Sequence, residues 1–64
     1  MSRLKLERVK KGLTQKKLSI KSGVGTSTIS NIENGKINNI PLITLKKLAS
    51  ALNSTVQELF LNEE

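Results

Sequence analysis

The sequence predicts an all-α fold, a compact bundle of five short helices. Apolar residues recur at helical spacing, as in Leu45, Leu48, Ala49 and Leu52. Glycines divide the chain into short segments, and no run of alternating apolar and polar residues indicates a strand. At 64 residues the chain is predicted to form a single domain, 1–64, of marginal stability.

The first helix is predicted over residues 2–11. Leu4, Arg8 and Val9 form an amphipathic pattern there. Gly12 follows at the position where a left-handed residue commonly ends a helix. Leu13 is then expected to pack inward.

The second and third helices are predicted over residues 15–22 and 26–34. Thr14 is a suitable N-cap for the second helix, Gly23 ends it, and Gly35 ends the third. Two short helices joined by a glycine turn form a helix-turn-helix, an arrangement that indicates DNA binding.

The third helix has an apolar face and a polar face. Ile29 and Ile32 are spaced to point inward. The other face is polar but uncharged and is suited to contacts with base edges. Its residues are Thr26, Ser27, Ser30 and Asn31.

The fourth helix is predicted over residues 41–52. Proline is tolerated in the first turn of a helix, so Pro41 indicates where this helix begins, and Asn53 is expected to end it. Residues 36–40 form the longest predicted loop.

The fifth helix is predicted over residues 56–61. Thr55 and Glu58 have the spacing of a capping box, in which each side chain caps the backbone of the other.

The charge is unevenly distributed along the chain, whose net charge is +6. Residues 1–47 hold all eleven basic residues and two acidic ones, a net charge of +9, whereas residues 48–64 hold three acids and no base, a net charge of −3. A basic end suits a polyanion. The alternative is that the lysines simply form a solvated surface.

Composition excludes several classes of function. Without cysteine or histidine the chain lacks the usual ligands of a metal site and the commonest general base, so we expect neither enzymatic activity nor a cofactor. No stretch approaches the roughly 20 apolar residues of a membrane span, and we expect a soluble, cytoplasmic protein. Binding of RNA or single-stranded DNA is disfavoured because Phe60 is the only aromatic residue available for stacking.

Several motifs together resemble a known family. They are Arg8, GLTQ at 12–15, Leu18, Gly23, Val24, TIS at 28–30, IENGK at 32–36, TLKKLASAL at 44–52 and QELF at 57–60. The chain resembles the phage Cro and repressor type (XRE-like) of helix-turn-helix proteins, the lambda-repressor-like DNA-binding fold. It differs at Gly25, where the family generally has a serine or threonine N-cap.

The resemblance implies a prokaryotic or phage transcriptional regulator. Such a protein binds double-stranded DNA as a homodimer on a palindromic operator, most often as a repressor, and is nucleoid-associated when bound. The third helix enters the major groove, where Thr26, Ser27, Ser30 and Asn31 are expected to read bases. The alternative for Ser27, Ser30 and Asn31 is ordinary helix surface.

Other site residues are also implied by the resemblance. DNA phosphates are expected to contact Thr14, Gln15, Asn34 and Lys36. Arg8 and Glu33 are expected to form a buried structural ion pair.

The dimer interface is predicted in the C-terminal part, which contains no basic residue. Its candidate residues are Val56, Leu59, Phe60 and Leu61. The alternative is that Leu59 and Phe60 complete the core.

A different class of function stays open: an antitoxin or interaction module whose main role is to bind a protein partner. No small-molecule ligand is expected. Regulation would then come from protein abundance, degradation or a partner.

Overall fold

The computed structural model describes residues 2–61, and all regular structure in that range is helical, as predicted. The elements are α1 (Arg3–Lys10), α2 (Gln15–Ser22), α3 (Thr26–Glu33), α4 (Leu42–Ala51) and a C-terminal π-helix (Gln57–Leu61). Each element begins and ends within one residue of the range expected from the sequence.

Side-chain hydroxyls cap the first two helices. Ser2 Oγ accepts a hydrogen bond from the Lys5 N–H at 3.3 Å, and Thr14 Oγ1 accepts one from the Lys17 N–H at 3.0 Å. Helix α3 begins after Gly25 without a side-chain cap. Its first backbone N–H groups are therefore left for another acceptor.

Left-handed residues end α1 and α4. Gly12 has φ 70°, and Asn53, one of the few non-glycine residue types that tolerate this region, has φ 55°. After α4 the Ser54 N–H donates to the Ala49 carbonyl at 2.8 Å, and the Asn53 N–H donates to the Ser50 carbonyl at 3.0 Å. This Schellman arrangement satisfies carbonyls that the end of a helix would leave unpaired.

Pro41 occupies the N-cap of α4, so the helix begins at Leu42, one residue after its predicted start. Its φ of −61° suits that position, and a residue without an N–H loses no intrahelical bond there. The preceding loop turns at Asn39, which has φ 63°.

The predicted capping box near the C-terminus forms only in part. Thr55 Oγ1 accepts from the Glu58 N–H at 3.1 Å, as expected. The Glu58 carboxylate instead accepts from the Ser54 hydroxyl at 2.9 Å, so the reciprocal half of the box is replaced by a neighbouring donor. The segment that follows is a π-helix rather than an α-helix.

One apolar core lies between the helices. Helix α2 packs against α3 and α4, while α1 packs against α3 and the C-terminal π-helix. The buried residues are Leu4, Leu18, Val24, Ile29, Ile32, Leu48, Ala49, Ala51, Leu52 and Leu59. Leu13, Ile40, Leu45, Val56 and Phe60 are partly buried against them.

Leu59 is a core residue, only 5% exposed, so the core alternative applies to it and it offers no free surface for a dimer. Phe60 is partly buried against the same core, whereas Leu61 is 66% exposed.

Candidate nucleic-acid interface

The turn between α2 and α3 is fixed by its backbone and by one buried side chain. Gly23 has φ 77°, and its N–H donates to the Ser19 carbonyl at 2.8 Å. The next N–H, that of Val24, donates to Ser22 Oγ at 3.1 Å, and the Val24 side chain is buried. The turn therefore sets the direction in which α3 leaves α2.

Helix α3 is anchored by its apolar face. Ile29 and Ile32 are 0% and 3% exposed. Thr26, Ser27 and Asn31 are exposed to solvent. A rigid helix thus presents short polar side chains on its outer side.

Ser30, the fourth residue of the predicted base-reading set, is only partly exposed. Its hydroxyl lies 3.5 Å from the amide nitrogen of Asn34, one turn later on the same helix side. A distance at this limit describes a weak contact, which leaves both groups free to turn toward a ligand.

The predicted phosphate-binding residues lie at two helix ends. Thr14 and Gln15 are at the start of α2, where backbone N–H groups and the helix dipole favour an anion. Asn34 and Lys36 follow α3 and are exposed. The Lys36 N–H donates to the Asn31 carbonyl at 2.8 Å, which ties this loop to α3.

The Gln15 side chain does more than face solvent. It is partly buried, and its Nε2 donates to Glu33 Oε1 at 3.1 Å. The start of α2 is therefore joined directly to the end of α3.

Arg8 and Glu33, the expected ion pair, form the centre of this junction. Arg8 Nε donates to Glu33 Oε2 at 2.7 Å and Nη2 donates to Oε1 at 3.1 Å, a bidentate pair. The two side chains are 9% and 4% exposed. The third guanidinium nitrogen, Nη1, donates to the Leu13 carbonyl at 2.7 Å. One side chain on α1 thereby fixes the loop before α2 and the end of α3.

The pKa of the Glu33 carboxyl is lowered from its ordinary value of 4.5. Burial alone would raise this pKa, but the hydrogen bonds from Arg8 and Gln15 and the charges of Arg8 and Lys5 lower it by more. A carboxyl whose pKa is lower in the folded chain stabilises the fold above its unfolded-state pKa. That contribution is lost as pH falls through the folded-state pKa.

We therefore expect the free energy of unfolding to decrease as the pH drops below about 4.5. The measurement is urea unfolding of the wild type and Glu33→Gln from about pH 7 to about pH 3, with sucrose present to keep the variant folded. The difference between the two proteins should narrow in acid, because both then carry an uncharged group. A difference that stays constant across this range would contradict the role assigned to the carboxylate.

Basic residues precede and follow α3 along the chain, but none lies on it. Helix α3 contains no lysine or arginine, and its one charged residue, Glu33, is neutralised by Arg8.

Within residues 2–61 no group of acidic residues is placed to hold a metal ion. Over the same range no helix has the length and apolar character needed to cross a bilayer.

Comparison with known families agrees with this geometry. A family model described as helix-turn-helix matches residues 4–59, nearly the whole chain. The chain belongs to the helix-turn-helix family. The match confirms the resemblance to Cro and repressor-type regulators and assigns the chain to DNA-binding proteins. Searches of curated proteins and of solved structures found no match.

Most of the residues that the sequence predicts to contact DNA lie in the helix-turn-helix or directly beside it. The structure places the base-reading candidates on α3 and the phosphate-binding candidates at the ends of α2 and α3. It also adds contacts that the sequence did not indicate. The acceptor for Arg8 Nη1 is a backbone carbonyl, which no residue type reveals, and the Ser22 hydroxyl is an acceptor in the turn that the sequence pattern does not predict.

Proposed function

We propose that this helix-turn-helix protein is a transcriptional regulator. It binds specific sequences of double-stranded DNA and acts in the cytoplasm as a repressor. Family membership supports DNA binding. The observation that supports sequence specificity is the exposed, uncharged polar face of α3, held on a helix whose other face is buried. Uncharged polar side chains can form hydrogen bonds to the edges of particular bases, whereas charged side chains bind the phosphates of any sequence.

Base readout is assigned to Thr26, Ser27, Ser30 and Asn31 in the major groove. Asn31 is the strongest candidate because an amide can donate and accept at once on the edge of adenine. Thr26 carries a methyl group that can pack on the methyl of thymine. These two contacts favour A·T base pairs in part of the DNA site. The side chains are short, so α3 must approach the bases closely.

Phosphate contacts are assigned to the flanking helix ends. The N-terminus of α2, with Thr14 and Gln15, binds one segment of the DNA backbone, while Asn34 and Lys36 bind another. Because Gln15 is hydrogen-bonded to Glu33, the residue before Asn34, both sets of phosphate contacts are tied to the end of α3 and would set its position and angle in the groove.

A homodimer on a palindromic operator is the expected bound form. One 64-residue domain offers a small contact surface, and two copies on half-sites one helical turn apart double the contacts. Occupancy of an operator that overlaps a promoter would block polymerase, which is the basis for assigning repression.

Two substitutions separate base readout from phosphate binding. Asn31→Ala should weaken binding to the preferred site by about 1 to 3 kcal/mol and relax the preference at one base position. Lys36→Ala should instead weaken binding to all sequences and reduce the slope of log affinity against log salt by about 1. Titrations of preferred and scrambled duplexes at several salt concentrations measure both effects.

The matched control is Ser50→Ala, which alters an exposed polar side chain on α4, away from α3. It should change neither affinity nor specificity. If Asn31→Ala weakened the preferred and scrambled duplexes equally, Asn31 would not be a base-reading residue.

A further inference from the structure

Asn34 and Gly35 form the one Asn-Gly pair in the sequence, and the two residues can react with each other. The backbone nitrogen of Gly35 attacks Cγ of the Asn34 side chain. The new N–Cγ bond closes an imide ring, and the side-chain –NH2 leaves with the Gly35 proton as ammonia. Water then opens the ring and leaves aspartate or its β-linked isomer. Glycine favours ring closure because it has no Cβ to hinder its nitrogen or to restrict the backbone.

The Asn34 side chain is accessible for this reaction. Asn34 and Gly35 are both exposed to solvent. The Asn34 amide donates to Ser30 Oγ at 3.5 Å, a weak contact that does not prevent the side chain from turning. The side chain therefore gives the amide little protection.

The backbone, in contrast, keeps the two reacting atoms apart in the folded chain. Asn34 has ψ 13°, so the Gly35 nitrogen nearly eclipses the Asn34 nitrogen and is turned away from Cβ, a different substituent of the same Cα. Ring closure needs the Gly35 nitrogen on the Cβ side. Two hydrogen bonds hold the unreactive conformation: Gly35 N–H donates to the Ile32 carbonyl at 3.0 Å, and Lys36 N–H donates to the Asn31 carbonyl at 2.8 Å.

We infer that Asn34 is a site of spontaneous deamidation whose rate is set by local opening of residues 34–36. Glu33, the residue before this segment, is held by Arg8, so the opening need not extend into α3. It has only to break the two backbone hydrogen bonds, and helix ends open more readily than the whole fold. Two bonds of ordinary strength reduce the open fraction by about tenfold to a hundredfold.

Deamidation places a negative charge where it is unfavourable. A carboxylate at position 34 adjoins Glu33 at the C-terminal end of α3, which is the negative end of the helix dipole. It also replaces the amide that we assign to a DNA phosphate, and like charges repel. Deamidated protein should therefore bind DNA less tightly. This consequence rests on the proposed function, whereas deamidation itself does not.

The first test needs no DNA. The full chain is incubated at mildly alkaline pH, once in guanidinium chloride sufficient to unfold it and once folded in NaCl at the same concentration. Cleavage after lysine places Asn34 and Asn53 in separate peptides, residues 22–36 and 48–64, and fragment masses identify the converted asparagine. Asn53 is the internal control, because it precedes a serine, whose Cβ hinders the backbone nitrogen.

In the unfolded chain Asn34 should convert faster than Asn53. In the folded protein it should convert about tenfold to a hundredfold more slowly than in the unfolded chain. Equal rates at Asn34 and Asn53 in the unfolded chain would overturn the assigned site. Equal rates at Asn34 in the folded and unfolded chains, or a slowing as large as the equilibrium constant for global unfolding, would overturn control by residues 34–36.

The second test separates the effect on DNA from the proposed function. Asn34→Asp reproduces the aspartate product, whereas Asn34→Ala removes the amide without adding charge. Affinity for a mixed-sequence duplex at low salt is measured for the wild type and both variants, with circular dichroism to verify folding.

Asn34→Asp should bind about threefold to tenfold more weakly than Asn34→Ala, and added salt should reduce this difference. Equal affinities of the two variants would overturn the effect of the new charge on DNA binding. Failure of the folded wild type to bind any duplex would instead overturn the proposed function.

Discussion

Replacing Arg8 with alanine is expected to lower the free energy of unfolding by about 3 to 5 kcal/mol. The change removes a bidentate pair with Glu33 and the hydrogen bond to the Leu13 carbonyl, and it leaves a carboxylate that is 4% exposed without its charged partner. A chain of this length has about 3 to 10 kcal/mol of stability in total, so this loss is a large part of it. Urea unfolding monitored by circular dichroism measures the loss.

Lys10→Ala is the control for the removal of a basic residue from α1. Lys10 pairs with Glu7 at 3.7 Å, and its side chain is 64% exposed, so we expect a change of less than about 1 kcal/mol. If Arg8→Ala kept wild-type stability but lost DNA affinity, Arg8 would be a DNA contact and its structural assignment would be wrong.

Leu18→Ala should cost about 2 to 5 kcal/mol. Leu18 is 0% exposed on α2, the helix that packs against both α3 and α4, so truncation leaves a cavity beneath the helix-turn-helix. DNA affinity should fall in proportion to the unfolded fraction. It should recover when an osmolyte restores folding, because no contact with DNA has been removed.

Ile20→Ala, two residues along the same helix, is the matched control. Ile20 is 75% exposed, and its truncation should change the free energy of unfolding by less than about 0.5 kcal/mol. Comparable losses for Leu18→Ala and Ile20→Ala would contradict the assigned orientation of α2.

The helices were predictable because their signals are local. Thr14 and Gly23 bracket α2 through hydrogen bonds that span at most four residues, and the inward spacing of Ile29 and Ile32 needs only the geometry of one helix. The pairing of Arg8 with Glu33 crosses 25 positions and was accessible only through resemblance to a family.

Other features depend on tertiary contacts that residue types do not encode. The Leu13 carbonyl accepts from Arg8 because the loop after α1 passes beside that side chain. The Glu58 carboxylate accepts a hydrogen bond from the Ser54 hydroxyl instead of from the Thr55 N–H, so only half of the capping box forms. Leu42 and Ile43 have the same apolar character as the inward Leu45, so their exposure becomes apparent only when the direction of α4 is known.

The central claim is that the outer face of α3 reads DNA sequence. Selection of bound sequences from random duplex DNA at roughly physiological salt tests it most directly. We expect enrichment of a palindrome whose half-sites lie about one helical turn apart, with a base preference that Asn31→Ala relaxes. Absence of any enrichment over non-specific binding by the folded wild-type protein would contradict the claim and would favour a role in binding a protein partner.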